Sequence, residues 1–135
     1  MSVNKNQRKQ GELQVNTDAR NLCVYTLKIT SNPKTFPLAQ ASYVEKLRNT
    51  TIEICTLCWK ANNIRVDGNI DRYNRRLELQ NRAIDECNSM CVLIEIAKPL
   101  FHLSSKRVCY WVKQVTDLRT LIRNWRNSDK QRLKP

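Results

Sequence analysis

Apolar residues return along most of this chain at alternating steps of three and four, the spacing that gathers them on one side of an α-helix. One unambiguous run is Val108, Trp111, Val115, Leu118, Ile122 and Trp125, with Ser104 placed to cap that helix after the "FHLSS" stretch. Before it lies the cleanest run, Ile70, Tyr73, Leu77, Gln80, Ile84, Cys87, Cys91 and Ile94, which keeps the same spacing until Pro99 closes the helix. Val44, Leu47, Thr51, Ile54 and Cys58, widened by Ile52, Cys55 and Trp59, predict a helix over about 38–63 that the Asp67-Gly68 turn signal stops. Leu22, Tyr25 and Ile29 predict a first helix from about Thr17, ended by Pro33 and Pro37.

Amphipathic helices joined by short connections bury their stripes most simply against one another. The expected fold is therefore all-α, an antiparallel up-down-up-down four-helix bundle over 17–130. A flexible basic N-terminal tail over 1–16 and a short basic C-terminal tail over 131–135 flank it. Composition agrees: the 135 residues include only two glycines and four prolines, and the length suits one domain with a real core. Gln80 is the odd member of its stripe, a polar residue placed to fix register or an oligomer contact by hydrogen bonding.

Charge changes the picture more than composition does. Lys and Arg number 24 against 12 Asp and Glu, a net +12 that attracts polyanions whatever the fold. Nucleic acid is the expected partner, and a membrane surface the weaker alternative. The N-terminus "MSVNKNQRKQGELQVNTD" has charges but no apolar run, so neither a secretory signal nor a membrane span is expected there and the expected compartment is the cytoplasm. In that compartment Cys23, Cys55, Cys58, Cys87, Cys91 and Cys109 stay reduced.

Little in the chain supports catalysis. Cys55-x-x-Cys58 and Cys87-x-x-x-Cys91 each put two thiols on one helical face, but they occupy positions the apolar stripes already need, so core packing outweighs a metal site or redox chemistry. His102 is the only histidine, and no local pattern sets a nucleophile beside it. Glycines occur only at 11 and 68, which excludes a phosphate-cradling glycine loop. The expectation is a non-enzyme with no cofactor and no metal.

The basic residues are arranged. Around the last helix Arg119, Arg123, Arg126 and Lys130 form one line bordering the core stripe, leaving Asp117 off it. Such a ridge can hold phosphates by forked hydrogen bonds, or pair with acids of a neighbouring helix or subunit. Arg72, Arg75, Arg76 and Arg82 cluster at the start of the third helix, where cations oppose the helix dipole and so favour an outside anion. Lys106 and Arg107 follow the Ser104 cap and complete the candidate binding residues.

Several stretches, "TFP", "KANN", "RRLELQNRAID", "LIEIAKPL", "LSSKRVCYWVKQV" and "LIRNWRNSD", resemble the accessory variability determinant family of diversity-generating retroelements. That family belongs with the four-helix proteins encoded in ribosomal RNA intervening sequences. The resemblance spans roughly Leu22 to Arg132, strongest in Arg76-Leu77-x-Leu79-Gln80-x-x-Ala83 and Trp125-Arg126-x-Ser128-Asp129. It implies a barrel-like homopentamer of four-helix bundles, without catalytic activity, whose basic surface binds a reverse transcriptase and its template RNA or an RNA–DNA hybrid during mutagenic complementary-DNA synthesis. Arg76, Arg119, Arg123 and Arg126 match basic family positions, and Trp111 and Trp125 its aromatic core. Thr35 departs from the pattern, standing before Phe36-Pro37 where a basic residue is common, which puts any contact made there in doubt. The alternative is a structural bundle of the intervening-sequence type, with general nucleic-acid affinity and no polymerase partner.

Overall fold

A computed structural model describes the backbone from Lys5 and the side chains from Gln14, in each case to Pro135. Four α-helices follow one another: α1 (Lys5–Ile29), α2 (Ala41–Asn62), α3 (Ile70–Leu100) and α4 (Ser105–Arg132), with a short 3-10 turn at Leu38–Gln40 leading into α2. No strand occurs among the described residues. Helix α1 packs on α2 and α4, and α3 packs on α2 and α4, so the helices close a ring around a shared core.

Helix α1 begins before the expected Thr17. Val15 and Asn16 already lie in it and are buried, so the bundle takes in the end of the expected tail, while residues 1–4 lie outside the described residues. Val15, Ala19, Leu22 and Thr26 form its buried line, and Trp111 Nε1 of α4 donates to Thr26 Oγ1 at 3.0 Å. A buried indole N–H thus finds its acceptor on the neighbouring helix. At the other terminus α4 ends at Arg132, two residues past the expected bundle limit.

Helix α4 buries every residue of its expected stripe and one more, Asp129, at the next step of four. Helix α3 buries a line rotated from the expected one: Tyr73, Arg76, Gln80, Ala83, Cys87, Met90, Ile94 and Ala97. Ile70 is exposed, and Leu77 and Cys91 are only half-buried. Both lines keep the three-four spacing and share Tyr73, Gln80, Cys87 and Ile94, and Ile84 of the expected line is buried as well, with Leu79 beside it. Packing against α2 and α4 together selects the line that contains Arg76.

The connections are set by local geometry. Asp67 and Gly68 both take positive φ (47° and 75°), and Asn69 N–H closes the turn onto the Val66 carbonyl at 2.8 Å. That is the turn chemistry the Asp-Gly pair signals. Asn69 then caps α3, its side chain accepting from Arg72 N–H at 3.0 Å. Pro99 sits inside the last turn of α3 instead of ending it, and the termination falls to His102 at φ 53°. Leu103 N–H reaches back to the Lys98 carbonyl at 2.9 Å, the long bond of a Schellman motif, with His102 in the position glycine usually holds. Ser104 caps α4 as expected, its Oγ accepting from Arg107 N–H at 3.1 Å.

The two ends of the bundle differ. Phe36, from the loop before α2, and Phe101 close one end with ring centroids 4.7 Å apart, and Tyr43 packs 6.0 Å from Phe101. A polar cluster around Asp129 closes the other.

Candidate nucleic-acid interface

The ten candidate basic residues do not form one surface. Arg76 is not a surface residue: it is 6% exposed, its Nε donates to Asp129 Oδ2 at 2.7 Å, and Asp129 is fully buried. The same guanidinium reaches the carbonyls of Ala61 at 3.4 Å and Ile64 at 3.1 Å, and lies 5.2 Å from the centroid of the Trp125 ring. Gln80 Nε2 donates to Asp129 Oδ2 at 2.6 Å and Arg132 Nη2 to Asp129 Oδ1 at 3.0 Å. One buried carboxylate thereby ties the end of α2, the start of α3 and the end of α4. Gln80 joins this network through its Nε2, whereas its own Oε1 and Trp125 Nε1 are buried without a protein partner. Asp129 ends the Trp125-Arg126-x-Ser128-Asp129 stretch of the resemblance, and the α4 spacing lands on it, but an acid is not expected in a core stripe.

Arg82 belongs to a different seam. Its Nη2 lies 3.5 Å from Glu53 Oε1 of α2, with both side chains about half exposed, a pair of small energetic consequence. Arg72 and Arg75 are exposed and line a groove beside the α2–α3 turn with Asn63, Ile64, Arg65, Asp67 and Asp71. Two carboxylates in that groove offset much of its charge. Lys106 and Arg107 stand at the start of α4, which at about 1.5 Å per residue lies about 35 Å along the helix from Asp129. Arg107 is close enough to Tyr25 to oppose the upward shift that burial gives its hydroxyl.

The ridge on α4 is where the structure brings candidates together. Arg123 and Lys130 are exposed, and Arg119 and Arg126 are half-buried at the α3–α4 seam. Arg119 Nη1 donates to Asn88 Oδ1 at 2.7 Å, and Arg126 Nη1 donates to Asn81 Oδ1 at 3.0 Å. Arg126 also reaches Asn127 Oδ1 through Nε at 3.4 Å and Nη2 at 3.3 Å. Among the described residues no carboxylate forms an ion pair with Arg119, Arg123, Arg126 or Lys130. Asp117, on the same helix, is taken by Lys113 at 2.6 Å. Arg119 Nε is buried and makes no hydrogen bond to another protein group.

The two tryptophans of α4 offer no stacking platform beside the ridge. Trp111 is fully buried and Trp125 6% exposed. Of the cysteines, Cys58 and Cys87 lie in the core, whereas Cys109 is exposed; burial pushes the Cys87 thiol up to about 12 and the Cys58 thiol still further from its ordinary range. Arg119 and Arg123 oppose that shift at Cys87, which places it beneath the ridge. Among the described residues no group of three His, Cys, Asp or Glu side chains is arranged to hold a metal ion, and no helix is long and apolar enough to cross a membrane.

No family model, curated protein or solved structure matched the chain.

Proposed function

We propose that this chain is a non-catalytic accessory subunit that holds RNA, and a reverse transcriptase working on that RNA, against a basic surface. The observation that carries the reading is the α4 ridge, whose side-chain partners Asn81, Asn88 and Asn127 are all neutral. A structural ion-pair row would have met carboxylates. Four cations left at full charge along one helix suit a phosphate backbone, which they would position without reading sequence. The retroelement role rests on the family resemblance in Arg76 to Ala83 and Trp125 to Asp129. Its compartment in this reading is the cytoplasm, where template and polymerase meet.

An up-down-up-down order fits the cross-helix bonds. Arg119 with Asn88 and Arg126 with Asn81 run in opposite senses on α4 and α3, and Tyr43 with Leu93 and Glu53 with Arg82 do so on α2 and α3. A homopentamer would cover the exposed apolar positions Leu38, Ile52 and Trp59 on the α2 side, and Val92 and Ile96 on α3. Light scattering on the purified protein gives the subunit count.

The deciding experiment is reconstitution with the cognate reverse transcriptase and template RNA. Complementary-DNA synthesis should need this protein and fail with Arg119, Arg123 and Arg126 all replaced by alanine. Synthesis that proceeds equally without the protein overturns the accessory role.

A further inference from the structure

The α3–α4 seam repeats itself. Asn81 and Asn88 stand seven residues apart on α3, Arg119 and Arg126 seven apart on α4, and each arginine donates to one asparagine across the seam. Seven residues are about two helical turns, or about 10 Å of rise, so the two clamps face the same way. An asparagine carbonyl accepts a hydrogen bond without cancelling the guanidinium charge, and each arginine keeps further N–H donors for another acceptor. An aspartate in the same place would fix the side chain as well but neutralise it. Arg123, exposed between the two clamps, adds a cation with no bond to either asparagine.

We propose that Asn81 and Asn88 are positioning residues that hold the guanidinium groups of Arg126 and Arg119 in preset directions at full charge, to receive phosphates of a single RNA strand. This rests on reading the ridge as a phosphate-binding surface. A single strand is favoured because its backbone can follow a straight row of donors along the seam. The absence of exposed tryptophan beside the row leaves electrostatics as the source of affinity, with no base stacked.

The test uses the full chain and a single-stranded oligouridylate, measuring Kd across a salt series together with thermal unfolding. Both asparagines are exposed, so their variants should fold. Asn81→Ala with Asn88→Ala keeps the charge but removes each arginine's partner across the seam, leaving Arg126 only Asn127 of its own helix, and should weaken binding about tenfold with unfolding nearly unchanged. Asn81→Asp with Asn88→Asp keeps an acceptor and removes the charge, and should weaken binding further. It should also flatten the dependence of log Kd on log salt by about 1.4, for two phosphates of a single strand. A role confined to bundle stability would move the melting temperature and leave that slope alone. If the Arg119, Arg123 and Arg126 alanine variant loses binding while the double alanine variant binds like the parent, the positioning role is overturned and the ridge reading stands. If the arginine variant binds like the parent, both fall.

Discussion

Arg76 and Arg126 sit on helices that pack on each other, and both contact the partner helix, yet they do opposite things. Arg76 meets a buried carboxylate, two backbone carbonyls and an indole face, and it closes the end of the bundle. Arg126 meets an exposed asparagine and keeps its charge at the surface. A buried guanidinium without a counter-charge would be strongly destabilising, so Arg76 exists only together with Asp129. No such constraint applies at the seam. The character of an arginine in this protein is therefore set by what its partner helix offers it, carboxylate or amide.

The largest effect should come from breaking the buried side of that contrast. Asp129→Ala removes the buried counter-charge of Arg76, and also deprives Gln80 and Arg132 of an acceptor. The expected loss is about 3–5 kcal/mol in urea unfolding. A loss below about 1 kcal/mol would show that the network is not what holds this end. Combining Asp129→Leu with Arg76→Met should cost less than Asp129→Ala alone, because no charge is then stranded.

A smaller effect comes from Cys87, beneath the ridge. Its folded thiol is raised to about 12 by burial, above the ordinary thiol value near ~8.5 in the unfolded chain. The folded state therefore holds this proton more tightly. Its contribution is fully present below about pH 8.5 and is lost as pH rises toward the folded value. Unfolding at pH 10 should show a loss of about 1–2 kcal/mol relative to pH 8 that Cys87→Ala reduces. The same slope in both proteins would remove this account of the thiol.

The smallest effect concerns backbone. His102 holds a left-handed conformation at the end of α3, which glycine adopts without strain. His102→Gly should change stability by less than about 1 kcal/mol, with the sign set by strain relief against the added freedom of the unfolded chain. RNA binding should not change, since this loop lies at the end of the bundle away from Asp129. A marked loss of RNA binding would extend the binding surface to Lys106 and Arg107.

Much of the fold is legible in the sequence because apolar periodicity is a direct record of burial. All six apolar positions expected on α4 are buried, and Ser104 caps it. What escapes is the polar core. On α3 two lines with identical spacing overlap, and a scan for apolar residues prefers the one through Ile70 and Leu77, because the other passes through Arg76. Asp129 escapes for the same reason: the rhythm reaches it, but an acid reads as the end of a stripe. Val15 escapes because, apart from Leu13, its neighbours from Lys5 to Asp18 are polar or glycine. The candidate site divides likewise. The ridge on α4 follows from helical geometry, whereas the asparagines that hold it sit on another helix and become visible only once α3 and α4 are packed together.

The most direct test of the contrast is the salt dependence of single-stranded RNA binding by the protein with Arg119, Arg123 and Arg126 replaced by alanine. The account predicts weakened binding and a dependence of log Kd on log salt shallower by about 2, roughly 0.7 for each of three lost phosphate contacts. Unfolding should stay within about 1 kcal/mol of the parent per site. Unchanged affinity and slope, or unfolding as severe as that of Asp129→Ala, would contradict it, because the ridge would then be structural like Arg76.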